Sequence, residues 1–233
     1  MNCPFYHKIG ACRHGEQCSR VHNRPVVSQS IILKHMYQNL PAAIAMAEGQ
    51  TVSDEMAEDA QEHFEAFLEA IYMELANYGD IEEIGVADNI GDHLIGTVYV
   101  KFVTEQGAEI AMEKLSGRFY AGRVLNPEYC PVLDFSDARC RQYDDAQCSR
   151  GGYCNFVHWK HVPRVVKKRL RTRLLEVHPE YRPVERGRAE RRPTESRQTE
   201  RRRSEGRENS IDRRAKIAAW NKQKEQEIDE SQL

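Results

Sequence analysis

The sequence has few of the features that mark membrane or secreted proteins. No apolar run approaches the roughly 20 residues that a membrane-spanning helix needs, and the N-terminus has no apolar segment like the core of a signal peptide. We therefore expect a chain without membrane contact in a reducing compartment, where its seven cysteines are unsuited to a disulfide framework.

Basic residues are absent from one stretch of the chain and concentrated in another. Residues 48–92 contain fourteen Asp/Glu and neither Lys nor Arg, whereas residues 161–216 contain nineteen Lys/Arg against nine Asp/Glu. The formal net charge of the whole chain is only −2. This separation of charge favours two partners, with nucleic acid at the basic part and a basic protein segment at the acidic part.

Six of the seven cysteines fall into two sets that each end in a histidine. The first set follows C-x8-C-x5-C-x3-H and the second follows C-x7-C-x5-C-x3-H. Three thiolates and one imidazole complete a tetrahedral zinc shell, and the repeated intervals argue against the alternative of buried free thiols. The predicted ligands of two structural zinc ions are Cys3, Cys12, Cys18 and His22 in the first set, and Cys140, Cys148, Cys154 and His158 in the second.

The two zinc units are too small to bury an apolar core. Zinc binding therefore provides most of their folding free energy, about 10–16 kcal/mol in comparable fingers. A closed shell leaves no position for a catalytic water, and the motif of zinc deaminases is missing, so we expect no enzymatic activity. The remaining cysteine, Cys130, is interpreted as a buried strand residue.

Aromatic and basic residues are interleaved between the zinc ligands. Rings stack on unpaired bases while guanidinium groups contact phosphates and base edges, so this combination is typical of sites for single-stranded RNA. The alternative is that a ring only covers the metal, which we favour for Tyr6 and Tyr143 but not for the other rings. The candidate RNA-binding residues are Phe5, Arg13, Ser19 and Arg20 in the first unit, and Arg141, Ser149, Arg150, Tyr153 and Phe156 in the second.

The segment between the zinc units has the periodicity of an α+β domain. Its predicted order is β-α-β-β-α-β, the topology of the RNA-recognition motif, in which two helices cover one face of an antiparallel sheet. The connection 38–60 is long for this fold, and we expect it to be mobile. The predicted strands are 30–37, 81–88, 94–102 and 123–130, and the predicted helices are 62–78 and 105–117.

The predicted sheet is poorly equipped to bind RNA. The usual third-strand motif is K/R-G-F/Y-G/A-F-V-x-F/Y, but residues 95–102 read IGTVYVKF, which lacks the leading base and one stacking ring. The first strand offers no partner ring, so Tyr99 stands alone. We therefore interpret the sheet as a scaffold.

The helical side of the domain combines an acidic helix with an Arg-aromatic-aromatic loop. Such a surface suits a tryptophan flanked by basic residues, because the ring lies under the arginine while the carboxylates meet the basic flank. A solvated helix beside an ordinary turn is the alternative, and the residues alone do not decide between them. The candidate partner-binding residues are Glu62, Glu65 and Glu69 of the helix, and Arg118, Phe119 and Tyr120 of the loop.

The C-terminal part of the chain is basic. Residues 163–177 predict an amphipathic helix with Val166, Leu170 and Leu174 on one face, and the run KKRLRTR within it fits a nuclear import signal. Beyond it, glutamate recurs every fifth residue, a period that aligns with no helix face. We predict a low-complexity tail over 179–233, disordered to about residue 210.

Together these motifs resemble the small subunit of the U2 snRNP auxiliary factor (U2AF), over roughly residues 2–175. The runs that carry the resemblance are NCPFYHKIGACRHG, DNIGDHLIGTVYVKF and CRQYDDAQCSRGGYCNFVH. The resemblance implies two zinc fingers that together recognise the AG of a 3′ splice site in nuclear pre-mRNA. It also implies a central U2AF-homology motif that binds a large subunit, with Arg118 as the loop arginine and Phe119 as the middle aromatic. Tyr120 stands where the family usually has Phe.

The domain organisation predicted from these observations is α+β. A second hypothesis is another factor with CCCH fingers and an RNA motif, acting in messenger decay or the spliceosome core, but the loop at Arg118 favours the first. The basic tail is a candidate surface for other splicing proteins. The predicted parts are finger 1 (1–24), the RNA-recognition-like domain (28–136), finger 2 (137–160), the basic helix (161–178) and the tail (179–233).

Overall fold

A four-stranded sheet and the helices packed on it form the centre of the computed structural model, which describes residues 1–182. The predicted tail beyond Arg182 lies outside the described residues. The helices are α1 (Pro4–Ile9), α2 (Pro41–Ala47), α3 (Asp54–Ala76), α4 (Glu105–Leu115), α5 (Phe135–Ala138), α6 (Arg141–Asp144) and α7 (Arg164–Val177). The strands are β1 (Ser30–Leu33), β2 (Ile81–Val86), β3 (Val98–Phe102), β4 (Phe119–Tyr120), β5 (Arg123–Val124) and β6 (Glu128–Tyr129).

The sheet has the strand order β2-β3-β1-β6, and all three neighbouring pairs are antiparallel. With α3 and α4 as the connecting helices, this confirms the predicted RNA-recognition topology. Ile32 pairs with Tyr99 in the centre of the sheet. Because side chains alternate along a strand, these two residues share one face, and Ile31 shares the other with Val100.

Helix α3 begins earlier than the hydrophobic pattern alone predicts. The side chain of Ser53 accepts a hydrogen bond from the backbone N–H of Met56, so it caps the helix N-terminus. Asp54 and Glu55 follow in the first turn, where negative charge is favourable. At the other end, Asn77 donates its side-chain amide to the last carbonyl groups.

Two predicted strands are shorter than expected because the backbone turns. Strand β1 ends at Leu33, and His35 has a left-handed φ of 54°. Strand β3 begins only at Val98, after a turn in which Gly96 has a φ of 60°. A Cβ atom at Gly96 would lie 2.0 Å from the carbonyl oxygen of Tyr37, so both its φ and this close approach require glycine.

The prediction of one last strand over 123–130 was wrong. Strand β5 pairs with β4 in a small hairpin, and only β6 joins the main sheet. Pro127 lies between β5 and β6, where its missing N–H removes a donor from the strand ladder.

The connection 38–60, which we expect to be mobile, contains regular structure. It contains α2, which begins with Pro41, and the first turns of α3. Ala42 and Ala43 pack against Ala60 in a small apolar cluster with Leu40 and Val52 at its edge. Small side chains allow the two helices to approach closely.

Both faces of the sheet are buried. On one face, β1 and β3 pack against α3, α4 and α7, with Val166, Leu170 and Leu174 of α7 inward as predicted. On the other face, Ile32 and Tyr99 pack against Phe135, Val157 and other apolar residues from both zinc fingers and α5. The zinc fingers therefore cover the face on which an RNA-recognition motif usually binds RNA.

Candidate metal centres and nucleic-acid interface

Finger 1 brings the four predicted ligand atoms of its zinc site together, all within 4.8 Å of one another. The sulfur atoms of Cys3 and Cys12 are 3.7 Å apart. A tetrahedral zinc ion with Zn–S bonds of about 2.3 Å separates its sulfur ligands by about 3.8 Å, whereas a disulfide joins sulfurs at about 2.05 Å. The spacing is therefore that of a metal shell.

Finger 2 repeats this arrangement with Cys140, Cys148, Cys154 and His158. The sulfur of Cys140 lies 3.8 Å from that of Cys148 and 3.8 Å from that of Cys154. The Nε2 atoms of His22 and His158 are buried, and neither has a hydrogen-bond partner among the described residues. A buried imidazole nitrogen is costly without a partner, and a zinc ion supplies one. The chain thus has two structural zinc sites.

One tyrosine stacks on the histidine ligand of each finger. Tyr6 lies over His22 with a ring separation of 4.6 Å, and Tyr143 lies over His158 at 4.0 Å. Burial raises the pKa of both phenols. Both rings lie over a zinc ligand, which agrees with the interpretation that they cover the metal.

The other finger aromatics are more accessible or lie where the two fingers meet. The side chains of Phe5 and Tyr153 are exposed, that of Tyr153 by 59%. The ring of Phe5 meets that of Phe156 edge-on, with centroids 6.1 Å apart. The guanidinium of Arg13 reaches the backbone carbonyl of Tyr153 at 3.5 Å. The two fingers are therefore in direct contact, although more than a hundred residues separate them in sequence.

A cavity of about 350 Å³ lies between the fingers. Its wall includes Phe5, Arg13, Ser19 and Arg20 of the predicted RNA-binding set. It also includes His93 and Asn155, which sequence reasoning missed because nothing in their neighbourhood indicates a shared cavity. Burial and the nearby cation of Arg13 lower the pKa of His93, which favours the neutral imidazole.

The remaining predicted RNA contacts lie elsewhere on finger 2. Arg141 and Phe156 line a second cleft, of about 760 Å³, which continues towards α1 and α5. Ser149 is exposed on the side that faces α2, away from the cavity between the fingers. Phe5 of the first cleft and Phe156 of the second are in contact, whereas Ser149 lies on a separate surface.

Arg150 is turned towards the metal site of finger 2. Its Nε atom lies 3.1 Å from the sulfur of Cys154, and its Nη2 atom lies 3.5 Å from the sulfur of Cys140. A cation that donates to two thiolates offsets the net negative charge of a zinc ion with three cysteine ligands. The matching position in finger 1, two residues after the second cysteine ligand, is His14, and among residues 1–182 neither the side chain of His14 nor that of Arg20 donates to a sulfur atom.

Tyr99 is 0% exposed, so its ring offers no platform for a base. Its hydroxyl donates to the backbone carbonyl of Ile9 at 2.7 Å, and the rings of Trp159 and Phe135 pack edge-on against it. The interpretation of the sheet as a scaffold agrees with this burial. Cys130 is also fully buried, directly after β6, and burial raises its pKa to about 12.

The loop at Arg118 forms a polar cluster with the C-terminal end of α3. Arg118 donates to a carboxylate oxygen of Glu74 at 2.5 Å and to the hydroxyl oxygen of Tyr78 at 2.7 Å. The Tyr78 hydroxyl donates to the same carboxylate at 2.6 Å. The hydrogen bond from Tyr78, followed by that from Arg118, lowers the pKa of the Glu74 carboxyl. Burial raises the pKa of Tyr78 to about 12.

The two aromatic residues after Arg118 have different environments. Phe119 is 76% exposed, whereas Tyr120 packs edge-on against Phe67 of α3 with centroids 6.2 Å apart. The β4–β5 hairpin thus holds one ring against the helix and presents the next ring to solvent.

The three predicted acidic residues of α3 do not surround Arg118. Glu69 contacts Arg173 and lies 3.4 Å from Arg169, both on α7 of the same chain. Glu65 accepts a hydrogen bond from Gln61, and Glu62 is exposed. The carboxylate that meets Arg118 is Glu74, which the sequence places on the polar side of the helix without indicating this partner.

Within residues 1–182, no helix is both long and apolar enough to cross a membrane.

Two family models match the chain. The model described as "Zinc finger C-x8-C-x5-C-x3-H type (and similar)" matches residues 2–24, and the RNA recognition motif model matches residues 63–126. Among solved structures, "Structure of Rna15 RRM with bound RNA (GU)" is 13% identical, covering 51% of this chain and 95% of that chain, with a TM-score of 0.28. A score this low adds nothing to the topology described above.

Curated relatives match over most of the chain. A rice (Oryza sativa subsp. japonica) splicing factor, named as a small subunit of U2AF, is 50% identical over 173 residues, covering 73% of this chain and 56% of the relative. The cattle (Bos taurus) protein "Splicing factor U2AF 26 kDa subunit" is 44% identical over 197 residues, covering 81% of this chain and 88% of the relative. The chain therefore spans little more than half the length of the rice relative and most of the cattle one. At this identity and coverage, the chain belongs to the family of U2AF small-subunit splicing factors.

Proposed function

We propose that this chain is the small subunit of a heterodimeric, non-enzymatic pre-mRNA splicing factor that recognises the AG of a 3′ splice site and helps to recruit U2 snRNP. The observation that carries the RNA assignment is the contact between the fingers, in which Phe5 meets Phe156 beside a cavity lined by arginines. One stacked base contributes about 1–3 kcal/mol, so a short RNA needs several contacts on one continuous surface. Two fingers in contact supply such a surface.

The proposed RNA-binding residues have two roles. Phe5, Tyr153 and Phe156 are the rings on which unpaired bases stack, while Arg13 and Arg20 attract the phosphates. Zinc, when bound, supplies folding free energy to the loops that carry these residues. Its shell has no open position for a substrate, so the fingers bind RNA without chemical change.

The test is RNA titration of the heterodimer with Phe5→Ala and Phe156→Ala at one salt concentration. We expect each variant to bind a short AG-containing RNA about tenfold more weakly or worse, because a stacking ring is lost. An RNA in which AC replaces AG is the control for sequence-independent binding, and zinc content is measured for each variant. Normal AG binding by both variants would show that the RNA lies elsewhere.

The partner in this proposal is a large U2AF-type subunit with a tryptophan in a basic segment. Arg118, held by Glu74 and Tyr78, lies beside the exposed ring of Phe119. A guanidinium fixed in this way covers an inserted tryptophan ring without losing much side-chain freedom. Since Glu69 already meets two arginines of α7, we expect the basic flank of the partner to use Glu62 instead.

This assignment is tested by calorimetric titration with a tryptophan-bearing basic peptide of the large subunit. Arg118→Ala should weaken binding by about 1–2 kcal/mol through loss of the cation–π contact. Arg123→Ala is the matched control, because Arg123 lies in the same hairpin and bonds only to the carbonyl of His35 among the described residues. Equal effects of both variants would reject Arg118 as a specific contact.

The nucleus is the compartment that this function requires. The basic run in α7 and the arginine-rich tail beyond residue 182 fit nuclear import, sequence-independent attraction to RNA and contacts with other splicing proteins. These roles remain part of the proposal.

A further inference from the structure

The loop between β2 and β3 connects finger 2 to the central domain, and the side chain of Asn89 makes three of the hydrogen bonds. Asn89 is 0% exposed. Its Nδ2 atom donates to the carbonyl oxygens of Cys154 at 3.0 Å and of Phe156 at 3.1 Å. Its Oδ1 atom accepts from the backbone N–H of His158 at 2.8 Å. The amide thus satisfies three backbone groups of one short segment.

These three backbone groups belong to the functional part of finger 2. Cys154 and His158 are zinc ligands, and Phe156 is the ring that meets Phe5 of finger 1. The carbonyl groups of Cys154 and Phe156 and the N–H of His158 are held together by one planar side chain, so the spacing of these three residues depends on it. The bond to the Phe156 carbonyl fixes the backbone from which the ring between the two ligands extends.

The residue before Asn89 strengthens the same attachment. The backbone N–H of Asp88 donates to the carbonyl of His158 at 2.6 Å. Its carboxylate accepts from the hydroxyl of Tyr143 at 2.9 Å and from the ammonium of Lys160 at 2.6 Å. Tyr143 is the ring that covers His158. Asp88 therefore bonds both to the backbone of this zinc ligand and to the ring stacked on its imidazole.

The same loop also reaches finger 1. His93, four residues after Asn89, lines the cavity between the fingers together with Arg13. Finger 1 is fixed to the sheet through the Tyr99 hydroxyl and the carbonyl of Ile9. The two fingers are therefore aligned by the central domain as well as by their contact with each other.

We propose that Asn89 is a positioning residue for RNA recognition, which holds Phe156 in the orientation that completes the shared site with Phe5. This inference rests on the proposed function, since it assumes that the rings bind RNA. The residue acts through the backbone of finger 2 and does not touch the RNA. The central domain then sets the affinity and AG preference of the fingers, in addition to binding the protein partner.

The experiment compares Asn89→Asp with Asn126→Asp in the heterodimer. At Asn89 the substitution places a carboxylate oxygen against two carbonyl oxygens, which repel it, while the bond from His158 remains. Asn126→Asp is the control because it makes the same change in charge at an exposed position. The side chain of Asn126 makes no hydrogen bond among the described residues. Zinc content and affinity for AG and AC RNAs are measured for both.

We expect Asn89→Asp to keep two zinc ions, to bind AG RNA at least tenfold more weakly than Asn126→Asp and to lose most of its preference over AC RNA. In a Phe156→Ala background, the same substitution should change affinity less than threefold, because the two effects share one cause. Equal AG affinities of Asn89→Asp and Asn126→Asp would overturn the inference, as would full additivity with Phe156→Ala.

A variant that loses a metal ion is handled by a second substitution. If Asn89→Asp releases zinc, Asn89→Ser removes the same contacts without adding charge. Weaker AG binding with two zinc ions then supports the inference, and release of zinc by this variant overturns it, since Asn89 would hold the metal shell rather than the ring. A wild-type heterodimer without AG preference overturns the proposed function itself, and this inference with it.

Discussion

The two zinc fingers share one local structure but have different surroundings. In each, a short helix follows the first cysteine ligand, α1 in finger 1 and α6 in finger 2. In each, the backbone N–H of that cysteine donates to the carbonyl oxygen of the residue before the histidine ligand. The distance is 2.9 Å from Cys3 to Val21 and 2.8 Å from Cys140 to Val157. Nearly the same ligand spacing thus accompanies nearly the same local fold in the two fingers.

The surroundings of the fingers differ in the polar contacts that they supply. In finger 2, Arg150 donates to two zinc-ligand sulfurs, and Asn89 of the central domain satisfies the segment around His158. In finger 1, Arg20 faces the cavity between the fingers, and His22 is less buried than His158. The difference indicates that finger 2 is the anchored unit, while finger 1 keeps a cation available for a ligand.

Removal of a zinc ligand tests this comparison with the largest expected effect. Cys3→Ala and Cys154→Ala should each abolish one zinc site, whose binding is worth about 10–16 kcal/mol in comparable fingers. We expect Cys154→Ala to lower the melting temperature further, because its segment is bonded to Asn89 and leads into Trp159 on the sheet. Elemental analysis and thermal unfolding measure both effects.

Cys130→Ala is the control for this experiment, since Cys130 is buried but lies outside both metal sites. It should retain two zinc ions. A larger loss of stability for Cys3→Ala than for Cys154→Ala would break the assignment of finger 2 as the anchored unit.

Substitution of one arginine in each finger tests the electrostatic difference. Arg150→Ala should lower the zinc affinity of finger 2 by about 10–100-fold, the usual cost of losing a group that bonds to metal ligands. Arg20→Ala should leave the zinc affinity of finger 1 unchanged. Competition with a chromogenic chelator measures both, and equal weakening of the two fingers would contradict the comparison.

The salt dependence of RNA binding gives the smallest expected effect. If Arg20 contacts one phosphate, Arg20→Ala should reduce the slope of log affinity against log salt by about 0.7, as expected for single-stranded nucleic acid. Arg150→Ala should leave the slope unchanged when zinc is saturating, because its guanidinium is turned towards the sulfurs. Titrations at several salt concentrations provide the slopes, and a reversed result would exchange the roles of the two arginines.

Local patterns predicted much of the fold. The periodicity of α3 and α4 and the β-branched runs of β2 and β3 were sufficient for the central topology, because such elements are specified by neighbouring residues. The failures lie at Pro127, where a missing N–H divides a predicted strand, and at α2, a helix that packs on Ala60 in a segment that lacks a strong pattern. The first is a local feature of the predicted strand itself, whereas the second depends on a contact that is not local.

The candidate site was less predictable than the fold. The metal ligands follow from spacing, since a metal ion accepts only a few residue types at short intervals. His93, Asn89 and Glu74 were not predicted, because each acquires its role from residues that lie more than forty positions away. Arg150 was predicted as an RNA contact with no sign in the sequence that two sulfurs would accept from it.

The sequence by itself determined that this protein has two zinc fingers, an RNA-recognition fold and a basic helix, because ligand spacing and hydrophobic period act over short stretches of chain. Only the tertiary structure brings the fingers into contact at Phe5 and Phe156 and places them over the sheet face of Tyr99. It also pairs Glu69 with Arg173 of α7. These arrangements minimise exposed apolar surface and unpaired buried polar groups over the whole chain at once, and no short stretch of sequence encodes that balance.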